Sequence, residues 1–402
     1  YYFFYSIHDI KRKEKYFYIA LPIAVVFLAN IFITQIKGFS FIGQIAIFTA
    51  ASNLFAIIAA HRMDIEILSD SREDSKMKLI NGMIGAFIII ILSLPILSFF
   101  LFTDYMDYLF ILLLSLSISL NEILTSFFLR NDSYKKYILF KSLPPIALIF
   151  FSISYDSPLT AWLSSYSFVL CFILANIFFE TKGSQLNYSL IFKHCIKNII
   201  TKIAPTTVAL ISAFGSFLWL FLINYKIGAE AAGIWSNIYR IFSLPIILYL
   251  SIFLPISLLE VGQSASTIKK FTHLKIFTFK YLLLSITLIL VSMMFGQFLF
   301  SFFTGYSEVI SYKVLMPIIF FIILKNFIGY HQSFFQAFKK NFILLFVLSI
   351  EIALAGYLMI SNQAFELEYL LNTIFLSLLL CFSILFIYIC KLNFSIKRAF
   401  LK

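Results

Sequence analysis

Long apolar runs separated by short polar breaks fill the chain from end to end. A helix crosses bilayer hydrocarbon with about 20 residues. Runs of that length recur at 16–36, 39–60, 79–102, 105–129, 137–153 and 159–179, then at 203–225, 232–259, 276–303, 310–338, 342–361 and 368–390. They are too long for core strands and show no sustained apolar/polar alternation, so they predict helices. The expected fold is an all-α integral membrane protein of a dozen transmembrane helices. Most breaks are turns: Thr103–Asp104, Ser154–Pro158 and Ser361–Leu367 leave no room for a domain. The longest, Glu180–Lys202, divides the chain into an N-terminal six-helix lobe (1–179), a cytoplasmic linker (180–202) and a C-terminal six-helix lobe (203–402) with a short basic tail.

Composition removes the soluble alternatives. Charged residues are 12% of the chain and hydrophobic ones 61%, whereas a soluble domain carries roughly 25% charged residues. The 51 Phe are spread over the whole length, so the apolar excess is not one anchor on a soluble body. The sequence starts on Tyr1 rather than Met and is expected to lack a few N-terminal residues. Its first run, preceded by Lys11, Arg12, Lys13 and Lys15, reads as a retained helix rather than a cleaved signal.

The net charge of +12 could suggest nucleic acid, but its distribution reads differently. Of the 31 Lys and Arg, 24 lie in the N-terminal tail and every second loop after it, and only Lys37, Lys226 and Lys313 lie in the alternate loops. Lys141, Arg240, Lys280 and Lys325 fall within spans. Basic residues stay on the cytoplasmic side, so both termini are placed inside and the number of spans is even. The basic charge is a topological signal, and no nucleic-acid partner is expected.

Two stretches echo each other. Gly38-Phe-Ser-Phe-Ile-Gly43 follows the first span and Gly228-Ala-Glu-Ala-Ala-Gly233 the seventh, 190 residues later, each with two glycines five apart in a helix–turn–helix. Glycine supplies unusual backbone angles and lets helices approach closely, and repeated halves are common in transporters. The stretch Ile227 to Pro245, with Gly233-Ile-Trp-Ser-Asn-Ile-Tyr-Arg240 within it, resembles the seventh-to-eighth helix segment of Wzx-type polysaccharide flippases, the O-antigen and capsule exporters of the MOP superfamily. Gly43 onward into His61-Arg62-Met63-Asp64-Ile-Glu66 resembles that family's second helix and its exit, with Met63 where an aromatic is usual. The resemblance implies two six-helix bundles in a MATE-like V around a central cavity. There an undecaprenyl-pyrophosphate-linked oligosaccharide would be turned across the bacterial inner membrane for surface polysaccharide (O-antigen or capsule, as in lipopolysaccharide) biosynthesis. The bilayer, a polysaccharide polymerase and a chain-length regulator would be its partners.

Charges inside spans cost roughly 2.5–3.5 kcal/mol on insertion scales and are usually turned inward. Lys141 and Lys280 lie close enough to the cytoplasmic ends to snorkel. Arg240 is eight residues into span eight, about 12 Å of helix rise, with Ser236 and Ser243 on its face and Asn237 beside it. Lys325 sits near the middle of span ten above Gly329, Gln332, Ser333 and Gln336; span four carries Ser115, Ser119, Glu122, Ser126 and Arg130 at helical spacing. Arg240 and Lys325 suit an anionic passenger, because guanidinium and ammonium groups recognise phosphate oxygens. Asn30, Thr34, Gln44, Asn237 and Gln332 suit its sugars. Arg62 either meets the diphosphate at the inner mouth or anchors its helix at the interface. Glu122 and Glu351 are candidates for ion coupling or charge pairing, Glu351 with Lys325 and Glu122 with Arg240.

No Walker A segment, His-rich cluster, Ser/His/Asp arrangement or metal-ligand spacing stands out, so no cofactor, metal site or ATP hydrolysis is expected, and coupling would be to H+ or Na+. His331 lies inside span ten, and His61, His194 and His273 have no partnering acid motif. Cys171, Cys195, Cys381 and Cys390 sit in or beside spans, so a disulfide is not expected. The alternatives are a membrane enzyme of the same pathway (polymerase or O-acyltransferase) and a multidrug exporter of the same superfamily. Topology reporters fused within 154–158 should report an external site, and those within 180–202 a cytoplasmic one. The opposite pattern would overturn the orientation.

Overall fold

The structure is a computed structural model and describes residues 2–60, 63, 67, 75–100, 105–181, 203–263, 267–306, 310–337, 341–361 and 367–400. Eleven helices are described: α1 (Tyr2–Ala60), α2 (Ser75–Phe100), α3 (Tyr105–Arg130), α4 (Tyr134–Ser154), α5 (Pro158–Thr181), α6 (Ile203–Lys226), α7 (Ala229–Gln263), α8 (Thr267–Thr304), α9 (Tyr312–Ala337), α10 (Asn341–Ile360) and α11 (Leu367–Phe400). No strand occurs among the described residues. Helix α1 carries spans one and two, so each later helix carries the span numbered one higher. Nine stretches among the described residues are long and apolar enough to cross a bilayer. The first, Phe17–Ala60, has 44 residues, which is enough for two crossings.

Gly38 breaks α1, with φ 80° and ψ 177°, a backbone conformation that only glycine adopts readily. Gly228, at φ 123°, does the same before α7. At the end of α3, Asp132 takes the left-handed conformation (φ 56°), Ser133 N–H donates to the Phe128 carbonyl and Asp132 N–H to that of Leu129. This is a Schellman close with Asp where Gly is usual. Helix α5 opens with Ser157 as its cap, its hydroxyl accepting the Thr160 N–H, and with Pro158 at the first helical position.

Several helices run beyond the apolar stretches that announced them. Helix α8 begins at Thr267 rather than near 276, and α11 continues to Phe400 rather than ending near 390. Hydropathy marks hydrocarbon, whereas the i to i−4 ladder continues into the aqueous layer wherever no breaker intervenes.

The chain falls into two compact units. The first comprises 1–37 and 44–213, the second 38–43 and 214–402. In the first, α3 is the central helix and packs on α2, α4 and α5. Its Leu116, Leu120, Ile123 and Phe127 meet Met63, Leu79 and Met83. Met63 is fully buried, with Gly82 leaving the space beside its Cβ. Phe48 of α1 stacks on the buried Trp162 of α5. In the second unit α9 is central, packing on α7, α8, α10 and α11. Trp235 and Tyr239 of α7 meet the edge of Phe321, and Tyr281 of α8 donates to the Ile323 carbonyl.

Residues 38–43, though early in the chain, belong to the second unit through a reciprocal contact. A Cβ on Gly43 would fall on the Ala229 carbonyl oxygen and within 2.8 Å of Gly233 N, and one on Gly233 would fall on the carbonyl of Phe39. The two echoed turns thus lie backbone to backbone, each presenting its second glycine to the start of the other. Phe39 then stacks on Phe300 and meets the edge of Tyr306, which fixes the segment against the end of α8.

The three lysines of the face read as external each tie one turn to another. Lys37 Nζ bonds Asp156 Oδ1 at 2.7 Å, Lys226 Nζ bonds the Ser361 carbonyl at 2.7 Å, and Lys313 lies 3.5 Å from Glu368. The Lys37 hydrogen bond holds the Asp156 carboxyl below its ordinary range. That bridge is therefore present at neutral pH and lost as pH falls through the lowered value, with little effect on stability at so exposed a site.

Gly233→Ala should lower thermal stability of the purified protein by about 1–3 kcal/mol, the usual range for overpacking. Gly356→Ala, where nothing lies within 4 Å of the added atom, should lose nothing. Equal stability of the two variants would refute the glycine contact.

Candidate functional site

Helix α7 begins at Ala229, three residues earlier than its apolar run, so Arg240 is eleven residues inside it, about 16 Å of rise. It is half-buried. Ser236, Asn237 and Ser243 around it are buried, and Asn237 donates its amide back to the Gly233 carbonyl at 3.0 Å.

Lys325 is thirteen residues into α9 and buried. Its ammonium donates to both oxygens of Glu351 on α10, at 2.7 and 2.8 Å. Glu351 is buried as well, and its Oε1 also accepts the indole N–H of Trp219 on α6 at 3.0 Å. Gly215, one turn from Trp219, faces the carboxylate so closely that a Cβ would stand 3.0–3.1 Å from it. Trp219 and Gly215 of α6 therefore close around an ion pair formed between α9 and α10. Depth matching across neighbouring helices raises the Lys325–Glu351 pairing in the sequence; Trp219 and Gly215 carry no such signal, because their approach depends on packing.

In the first unit Glu122 of α3 pairs with Lys141 of α4 through both carboxylate oxygens, not with Arg240. Lys141 turns across to α3, where the Glu122 carboxylate is its partner. The stripe on α3 is largely self-satisfied: Ser115 donates to the Ile111 carbonyl and Ser119 to that of Leu116, both buried. On α1, Asn30 is buried and donates to the Val26 carbonyl, Thr34 donates to that of Asn30, and Gln44 is half-buried. Arg62 lies outside the described residues, and Gln332 is placed on α9 by its backbone alone.

His331 is buried between the Phe327 carbonyl and the Thr278 hydroxyl. Among the described residues no three His, Cys, Asp or Glu come together in a way that could hold a metal ion.

Lys325→Met should cost about 3–5 kcal/mol of stability, the usual penalty for stranding one member of a buried pair. The double variant Lys325→Met, Glu351→Leu should recover most of that loss in thermal unfolding. A single variant as stable as the parent would show that the pair does not hold these helices.

No family model matches the chain, and no curated protein matches it either. Solved structures do. The chain is similar to the inward-facing conformation of a multidrug resistance MATE family transporter of the MOP superfamily, with a TM-score of 0.60 and 14% identity over 94% of this chain and 96% of that one. It is similar to the outward-facing conformation of such a transporter at the same TM-score and identity, over 96% and 97%. A MOP superfamily transporter from Pyrococcus furiosus, described as having a binding pocket of reverse polarity that suggests a different function, aligns with a TM-score of 0.58 and 13% identity over 96% and 97%. At such identities the likeness carries the fold alone: this multi-pass, all-α membrane protein has the MATE-like fold of MOP superfamily transporters.

Proposed function

We propose that the chain is a flippase that carries undecaprenyl-pyrophosphate-linked oligosaccharides across the bacterial inner membrane by alternating access, for assembly of a surface polysaccharide. The observation that carries this is the sign of the charge deep in the described spans. The carboxylates there, Glu122 and Glu351, are each tied to a lysine, while Arg240 adds a further cation about halfway along a crossing. Within the second unit, Arg240 and Lys325 stand against Glu351 among the described mid-span residues, an interior in which cations outnumber carboxylates. A diphosphate head group is the chemistry such an interior attracts, and a guanidinium recognises it through paired donors. The buried Asn237 and Ser236 beside Arg240 offer polar contacts of the kind sugars need.

Export of drugs is the second reading, favoured by the neighbours described as multidrug resistance transporters. A cationic drug needs an available carboxylate, and both deep carboxylates here are engaged by lysines. The neighbour whose binding pocket is described as of reverse polarity, suggesting a different function, supports the idea that this fold serves more than one function. A polymerase and a chain-length regulator would act next on the flipped lipid-linked sugar, and H+ or Na+ would drive the cycle.

Deleting the gene should abolish the surface polymer and leave lipid-linked oligosaccharide on the inner leaflet. Arg240→Ala should fail to restore the polymer at normal protein level. Full restoration by that variant would remove Arg240 from the passenger's path.

A further inference from the structure

Each unit carries one ion pair between its fourth and fifth spans, counted within that half, with the order of charges reversed. In the first unit Glu122 lies on α3 and Lys141 on α4; in the second Lys325 lies on α9 and Glu351 on α10. Their surroundings differ. The side chains of Lys325 and Glu351 are 9% and 1% exposed, whereas those of Lys141 and Glu122 are 26% and 45% exposed. Trp219 and Gly215 close the first of these pairs; the second has an open side.

Glu122 is eight residues from the end of α3 and Lys141 seven from the start of α4, about 10–12 Å of helix rise. The partial exposure of both side chains leaves one side of the pair open to water or a polar ligand.

The register of the two helices does not depend on the pair. Pro144 and Pro145 lack N–H groups, which orphans the carbonyls of Phe140 and Lys141 in α4. Asn121, immediately before Glu122, donates its amide to the Phe140 carbonyl at 3.2 Å. Adjacent residues of α3 thus hold adjacent residues of α4, one through an uncharged bond that persists when the ion pair opens. Tyr137, buried one turn before Lys141, is a titratable neighbour of both charges.

We propose that Lys141 is a binding residue for the diphosphate of an anionic passenger and that Glu122 holds its place until the passenger arrives. Phosphate oxygens and carboxylate oxygens satisfy an ammonium alike, so the exchange keeps Lys141 paired throughout. The displaced Glu122 carboxylate turns to the water of the open side. The inference rests on the flippase reading for the identity of the passenger and adds a site in the first unit.

The test uses the full chain in lipid nanodiscs and inorganic pyrophosphate as probe, followed by calorimetry. Glu122→Gln removes the internal competitor and should tighten binding about tenfold, a gain that misfolding cannot produce. Lys141→Gln should abolish binding, and Lys313→Gln, on an exposed turn of the second unit, should leave it unchanged. A polyprenyl diphosphate added to the nanodiscs should displace the probe, and phosphatidylglycerol should not. Displacement by phosphatidylglycerol alone would overturn the assignment to a diphosphate. Unchanged affinity in both Glu122→Gln and Lys141→Gln would overturn the site. Surface-polymer complementation separates this from the wider function. Polymer that needs the protein but tolerates Lys141→Gln sinks the site and spares the flippase reading. Lost pyrophosphate binding with no polymer dependence on the protein sinks the flippase reading and spares the site.

Discussion

Two glycine turns packed backbone to backbone set the frame on which the second unit is built. Gly43 meets Ala229 and Gly233, and Gly233 meets Phe39, so neither position has room for a side chain. The contact pulls six residues out of the first unit's sequence range and holds them against α7 and α8. Helix α7 begins within this contact, at Ala229, and Arg240 lies eleven residues along it. In a bilayer, helices gain little from burying apolar surface against one another, so close backbone approach is among the few strong sources of attraction.

Charge pairing is the second constraint. Hydrocarbon penalises an unpaired ion, and each unit meets that penalty with one lysine and one glutamate on adjacent helices. The buried pair is enclosed by an indole and faced by a glycine, which suits a structural tie. The half-exposed pair is held in register by a neutral hydrogen bond, which suits an exchange of partners. Sequence position alone ranks them the other way, because Lys325 lies deeper in its helix than Lys141.

Much of the fold is written in run length. The apolar stretches, the break at Gly38 and the glycine echo are all visible in the chain, since each rests on local chemistry. Helix ends are less legible: α8 and α11 continue through polar residues that hydropathy counts as loop. The pairing of Glu122 with Lys141 is hidden for a different reason. It joins residues 19 apart across a tight turn, and their shared depth follows from the Schellman close at Asp132 rather than from any motif. Trp219 and Gly215 become partners of Glu351 only when three helices pack together.

Under the proposed function, the sign of the passenger's charge is the property that separates flipping of an anionic lipid from export of a cationic drug. The measurement that tests it most directly is transport by the purified protein in proteoliposomes. A fluorescent polyprenyl-diphosphate oligosaccharide and a fluorescent organic cation would be followed in parallel. A flippase for anionic lipids should give protein-dependent flipping of the anionic lipid and no movement of the cation above that in protein-free vesicles. Cation transport with no flipping of the anionic lipid would contradict it.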